Sequence, residues 1–322
     1  MSDGKKQHGW RNTLIIVAII LIVIITLFSV YASADIEKKD LDDAARTQQG
    51  GSYIKLPDGM THYELSGPET GQVVVLLHGF SIPLYVWDAQ VEPLTKAGFR
   101  VLRYDMFGKG YSDRPEADYS QAFFRKQLIN LLDGLKIQGP VDLAGLSVGG
   151  GLAVDFTANY PARVNRLVLI DPVIASSAKY DSLMKLLGPP VMGEFLMRLV
   201  TTNILADRAA DLVKKSPRAA EYNNLFRDQT HFKGFERATI SMIRGDAIKD
   251  YRADYLTVGK QNRPIMLIWG ALDEDVTPSM VEEIRKSMPN LDFKQLDNIG
   301  HDPQVEVPDT VNSLIIDFLK QQ

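Results

Sequence analysis

The stretch Val141-Asp142-Leu143-Ala144-Gly145-Leu146-Ser147-Val148-Gly149-Gly150-Gly151 runs from a short apolar segment through a serine into a glycine cluster. It reads as a buried strand, a sharp turn and the start of a helix, with Ser147 at the centre of G-x-S-x-G. A serine on so tight a strand-to-helix turn takes strained backbone angles. Small residues two before and two after it let strand and helix close around it. Gly145 and Gly149 hold those two places. The following helix aims its first N–H groups toward the hydroxyl and toward any oxyanion formed when it attacks a carbonyl. G-x-S-x-G alone is a weak signal, so the rest of the chain must supply a scaffold, a base and an acid.

The scaffold is legible on both sides. Residues 53–56 and 60–65 bracket the turn Pro57-Asp58-Gly59 and predict a hairpin. Short apolar runs follow at 73–77, 100–104, 141–144, 167–170, 265–269 and 292–296. Several are continuous and β-branched, as parallel strands buried on both faces require. Helical patterns at 87–97, 120–135, 151–159, 279–287 and 309–319 lie between most of them. The chain is expected to be α/β, with a mostly parallel central sheet flanked by helices. One gap breaks the alternation: residues 172–262 have helical spacing and no clear strand, and predict an inserted helical cap. Met184, Met192, Met197 and Met242 in that insertion either line an adaptable pocket or serve as plain core.

A serine nucleophile needs a base. Of the five histidines, His8 lies in the N-terminal tail, His62 in the first hairpin, His78 before Gly79, and His231 in the insertion. His301 follows Gly300 in the loop after the last strand, where an imidazole reaches across the carboxyl edge of a parallel sheet. The acid belongs at another strand's carboxyl end. Ile265-Met266-Leu267-Ile268-Trp269-Gly270-Ala271-Leu272-Asp273-Glu274-Asp275 offers three carboxylates, of which Asp273 is the first choice and Glu274 and Asp275 the alternatives. Asp171, before Pro172, is a further candidate whose plainer reading is a turn residue.

Composition narrows the class. The 322 residues carry 36 Lys plus Arg against 40 Asp plus Glu, a net charge of −4, and no basic run that suits nucleic acid. Zero cysteines exclude disulfides, thiolate metal sites and a cysteine nucleophile. Residues 14–30 are uncharged and apolar, with Lys5, Lys6 and Arg11 before them and Trp10 and Tyr31 at their ends. Such a segment enters a membrane, and the basic flank keeps the amino end cytoplasmic. Ala32-Ser33-Ala34 has the form of a signal-cleavage site, so the alternative is an exported soluble protein cut after Ala34. The expected order is an anchor at 1–34, a polar stalk or short helical linker at 35–50, a core at 51–171 and 263–322, and the cap between.

With these pieces in order, the chain resembles the α/β-hydrolase family along nearly all of residues 51–322. His78-Gly79-Phe80 is similar to that family's oxyanion turn. Asp105-Met106-Phe107-Gly108-Lys109-Gly110-Tyr111-Ser112 is similar to its D-x-x-G-x-G-x-S loop. Trp269-Gly270-x-x-Asp273 resembles its acid turn, and Gly300-His301-x-Pro303 its histidine loop. One departure stands out: Pro278 falls five residues after Asp273, where relatives place it about four after the acid.

The resemblance implies a serine hydrolase of carboxylic esters, with Ser147, Asp273 and His301 as triad and the backbone N–H groups of Phe80 and Val148 as oxyanion hole. Such chemistry needs neither metal nor organic cofactor. The partner is then a small-molecule ester with an apolar acyl group. Ser81, Tyr85 and Trp87 are candidates to line the acyl pocket or to pack the first helix. Carbon–carbon, thioester or amide hydrolysis and perhydrolysis use the same triad, and a non-catalytic receptor is a different class on the same fold.

Overall fold

Short β-branched runs pair into one eight-stranded sheet in the computed structural model, which describes residues 3–321. The strands are β1 (Ser52–Leu56), β2 (Gly59–Ser66), β3 (Val73–Leu77), β4 (Arg100–Tyr104), β5 (Val141–Leu146), β6 (Val164–Ile170), β7 (Ile265–Gly270) and β8 (Asp292–Leu296). Their spatial order is β1-β2-β4-β3-β5-β6-β7-β8. β1 and β2 form the expected hairpin, β2 lies antiparallel to β4, and the remaining pairs are parallel.

The helices are α1 (Asp3–Ser33), α2 (Asp43–Gln49), α3 (Asp88–Lys96), α4 (Gln121–Gly134), α5 (Val148–Asn159), α6 (Ala178–Leu187), α7 (Met192–Leu196), α8 (Thr202–Leu212), α9 (Ala219–Gln229), α10 (Phe235–Arg244), α11 (Arg252–Gly259), α12 (Pro278–Ser287), α13 (Pro303–Glu306) and α14 (Pro308–Lys320). The sheet separates two apolar layers. Successive residues of β3 alternate between them: Val75 and Leu77 pack into one, Val74 and Leu76 into the other. A strand with two buried faces needs apolar side chains at every position, which is why 73–77 has no polar residue.

Topology places the site. From β3 the chain first steps to β4 and then crosses back to β5 on the other side of β3, so the loops leaving β3 and β5 diverge. A crevice opens at such a switch point. Register then aligns the carboxyl ends: Leu77 pairs with Gly145, Leu146 with Ile170, Ile170 with Ile268 and Gly270 with Leu296. Residues just beyond these ends share one edge of the sheet.

The segment between β6 and β7 carries α6 to α11, with a π-helical turn at Met197–Thr201 between α7 and α8. Ser177 caps α6 by accepting the N–H of Tyr180. Residues 35–50 do not stand off as a free stalk. Lys39 N–H donates to His231 O and Lys233 N–H returns to Lys39 O, both at 2.9 Å, which ties the linker to the helical segment. Within α1, Trp10–Ser33 is long and apolar enough to cross a membrane and is not buried.

Candidate active site

The turn after β5 is strained where the chemistry would sit. Ser147 has φ 54° and ψ −119°, in the left-handed half of conformational space that L residues avoid. Its backbone is held on both sides: its N–H donates to Ile170 O at 2.9 Å, and its carbonyl accepts from Gly150 and Val173, each at 3.0 Å. A Cβ on Gly145 would lie 2.4 Å from Gly149 O, and one on Gly149 2.4 Å from the carbonyls of Leu77 and His78. Both glycines are therefore required by close backbone approach. α5 begins at Val148 with its first N–H groups unpaired by the helix itself.

His78 shapes the neighbouring turn. Its Nε2 accepts the N–H of Met106 at 2.9 Å, so Nδ1 carries the proton and donates to Gly79 O at 2.7 Å. Burial pushes His78 down to about 4, which keeps the ring neutral. The turn so fixed carries Phe80. Among the described residues neither Phe80 N–H nor Val148 N–H donates to a protein acceptor, and both residues line the cavity described below.

Asp273 and His301 meet across the edge. His301 Nδ1 lies 2.8 Å from Asp273 Oδ2, and Asp273 Oδ1 accepts from Asp275 N–H at 2.7 Å and Val276 N–H at 3.1 Å. Both Asp273 oxygens are thus engaged, one by the imidazole and one by two backbone N–H groups. Glu274 is exposed, and Asp275 is ion-paired with Arg208 of α8.

Asp171 is also present. It follows β6 with φ 40°, its Oδ1 accepts Gly270 N–H at 2.9 Å, and its Oδ2 has no hydrogen-bond partner. Burial and the neighbouring Asp273 charge raise Asp171 well above the ordinary carboxylate range. Burial raises Asp302 as well. For His301, burial favours the neutral ring. The charge and hydrogen bond of Asp273, with Asp302 and Asp171 close by, outweigh burial and raise it to about 9. Asp171, Asp273 and His301 each bring one ligand atom within 4.8 Å of the others. Spacing alone would admit a cation there, but His301 Nδ1 is already committed to Asp273.

Ser147 and His301 open onto one cavity of about 520 Å³, a size that suits a small organic molecule. No hydrogen bond joins Ser147 Oγ to His301 among the described residues. Such contacts are often long until substrate binds. The walls are mostly apolar, with branched aliphatics such as Leu183, Leu186, Val200, Ile204 and Leu205. Ser81 is on the wall. Tyr85 and Trp87 are not: both are buried in the apolar layer behind, where Tyr85 stacks on Tyr222 at 5.2 Å. The four insertion methionines are also off the wall. Met197 and Met242 are core, Met184 packs against it, and Met192 is exposed. The sequence reading missed the wall itself. Its signal was present: Leu196, Val200, Ile204, Arg208 and Leu212 recur every four residues and all face the cavity.

Comparison with known proteins agrees with this geometry. The alpha/beta hydrolase fold family matches residues 72–308. The 2-hydroxy-6-oxononadienedioate/2-hydroxy-6-oxononatrienedioate hydrolase of Cupriavidus pinatubonensis is 28% identical over 292 residues, covering 85% of this chain and 97% of that protein. A meta-cleavage product hydrolase from Pseudomonas fluorescens superposes with a TM-score of 0.65 at 26% identity, covering 84% of this chain and 97% of that one. The enol-lactonase of Burkholderia xenovorans gives a TM-score of 0.70 at 24% identity over 84% of this chain and 100% of that one. Elbow, histidine loop, sheet order and family match coincide, and the chain belongs to the α/β hydrolase fold family.

Proposed function

We propose that this hydrolase cleaves carboxylic esters with apolar acyl groups through an acyl-enzyme on Ser147. The observation that carries the reading is a strained serine and an aspartate-held imidazole on the wall of one apolar cavity. His301 takes the Ser147 proton as the hydroxyl attacks the acyl carbon, then protonates the departing alcohol. Asp273 holds the ring tautomer with Nε2 free for this exchange and stabilises the imidazolium. The N–H groups of Phe80 and Val148 receive the oxyanion. Water, activated by the same imidazole, then attacks the acyl-enzyme and restores Ser147. Residues 172–262 act as a cap over the core formed by 51–171 and 263–322.

Carbon–carbon bond cleavage is the second reading, because relatives at 28% and 26% identity are named for it. The cavity lining favours the ester. The relative's substrate is a dioate, and an unpaired carboxylate is costly to bury in apolar surroundings. Arg208 is the only Arg or Lys on this wall among the described residues, and it is committed to Asp275.

The N-terminal segment is proposed as an uncleaved anchor with its amino end cytoplasmic and the hydrolase on the other side. A hydrolysis panel of aryl esters graded by acyl length, run beside a vinylogous diketone acid, tests the substrate class. Ester turnover exceeding diketone turnover supports the proposal, and the reverse order replaces it with the carbon–carbon reading.

A further inference from the structure

The helices over the site expose a group of large apolar side chains. Leu186, Val191, Met192, Val200 and Ile204 have relative exposures of 51%, 81%, 55%, 48% and 57%. Exposed apolar residues scattered singly need no explanation, but five of them within the run of consecutive elements from α6 to α8 do. Val191 adds a second oddity. It is β-branched and has φ 67°, a costly conformation for a side chain that buries little in return. Three of the five, Leu186, Val200 and Ile204, also line the Ser147 cavity, so they form its rim.

The same helices receive the end of α1. Tyr31 stacks on Phe195 of α7, with ring centroids 6.0 Å apart and an interplanar angle of 13°. The Arg198 guanidinium lies 4.2 Å from the centre of the Tyr31 ring and 3.9 Å from an Asp35 oxygen. Glu37 then caps α10, accepting Gly234 N–H at 3.1 Å and Glu236 N–H at 2.6 Å. An extended linker of this length would let the hydrolase stand roughly 50 Å from its anchor. These contacts hold it at the last turn of α1 instead. Tyr31 ends the apolar run, where aromatic residues sit at headgroup depth. Met192 lies three residues from Phe195, roughly 5 Å along the helix.

We propose that this apolar rim rests on the bilayer that α1 enters, so that a lipid-dissolved acyl ester passes from the membrane into the cavity without crossing water. The inference rests on the reading of α1 as an uncleaved anchor. The occupant of the rim is the lipid surface. An anchor fixed to the cap by Tyr31, Asp35 and Glu37 presents the exposed side chains to that surface and leaves no slack for a partner to intervene.

The chain has no cysteine, so single labels are clean. Full-length Ile20→Cys, Met192→Cys and Gln138→Cys, each carrying an environment-sensitive fluorophore, are reconstituted in phosphatidylcholine vesicles with and without brominated acyl chains. Gln138 precedes β5 and so sits at the sheet edge opposite the cavity. Quenching is expected at positions 20 and 192 and not at 138. Quenching at 20 without 192 overturns the inference and leaves the anchor standing. Absence of quenching at 20 overturns the anchor reading and the inference with it.

A second measurement reads function. Neither Val191 nor Met192 lines the cavity. Val191→Glu combined with Met192→Glu is expected to lower turnover of a long-chain ester embedded in vesicles at least tenfold, while soluble p-nitrophenyl acetate stays within twofold. Equal losses on both substrates, or none on the embedded ester, contradict the proposal.

Discussion

Asp273 and Asp171 flank one imidazole from the ends of neighbouring strands, but only Asp273 hydrogen-bonds it, Oδ2 to Nδ1 at 2.8 Å. Asp171 gives its one contact to Gly270 N–H. The two carboxyls therefore differ in their surroundings: Asp273 holds the imidazole directly, while Asp171 is buried behind it and raised well above the ordinary carboxylate range.

Asp273→Asn is expected to lower kcat on a soluble aryl ester by up to ~10⁴, because an amide favours the wrong imidazole tautomer. Glu274→Gln, on an exposed side chain, is expected to stay within about twofold of wild type. Asp275→Asn breaks the pair with Arg208 and should cost less than about tenfold, mostly in KM. Steady-state kinetics on the three variants checks the order, and a larger loss at Glu274 or Asp275 moves the acid there.

The rate should depend on pH in the alkaline range. In the proposed mechanism His301 must be neutral to accept the Ser147 proton, and its folded-state value is raised from 6.5 to about 9. In the free enzyme kcat/KM is therefore expected to rise with pH and level off above about 9. Stability runs the other way. A raised histidine stabilises the fold in full below about 6.5 and loses that contribution as pH rises through about 9. Denaturant melts of wild type and His301→Gln between those limits should show the slope in the first protein and not in the second.

Asp171→Asn keeps an acceptor for Gly270 N–H and replaces a carboxyl that burial raises well above its ordinary range with a neutral amide. The alkaline limb should then move by less than ~0.5 pH unit, whereas removal of a real charge would lower it by about 1 unit or more. Asp171→Ala leaves Gly270 N–H unpaired and should destabilise the fold by about 1–3 kcal/mol. The pH profile of the first variant and the melt of the second separate an electrostatic role from a structural one.

How much of this was legible beforehand follows from range. Runs such as Val73–Leu77 declare themselves because burial on both faces forbids any polar residue, and all eight strands lie where the apolar pattern put them. Ser147 stands out as a candidate because close backbone approach demands the glycines two before and two after it, and His301 because it lies in the loop after the last strand. What depended on distant pairing was not. The place of Asp171 is set by the register of Ile170 against Ile268, the Arg208 to Asp275 pair joins residues 67 apart in sequence, and Tyr85 turns inward because Tyr222 lies there to stack on it. The docking of residues 35–50 depends on His231 and Glu236, far along the chain.

The aliphatic wall predicts a graded response to acyl length. Each buried CH₂ contributes up to ~0.8 kcal/mol, so kcat/KM should rise up to about fourfold per carbon from acetate through butyrate to hexanoate and fall once the cavity is filled. Leu205→Ala frees room for about three carbon atoms and should shift the optimum to longer chains. Preference for acetate in the intact enzyme would show that the wall contacts the leaving group instead.

The central claim is that Ser147 is the nucleophile, and covalent titration with a p-nitrophenyl alkylphosphonate tests it most directly. One equivalent of p-nitrophenol per chain is expected, with the added mass on the peptide that contains Ser147, labelling slowed in His301→Gln and abolished in Ser147→Ala. Undiminished labelling of Ser147→Ala, or more than a tenth of wild-type ester turnover remaining in it, would contradict the account.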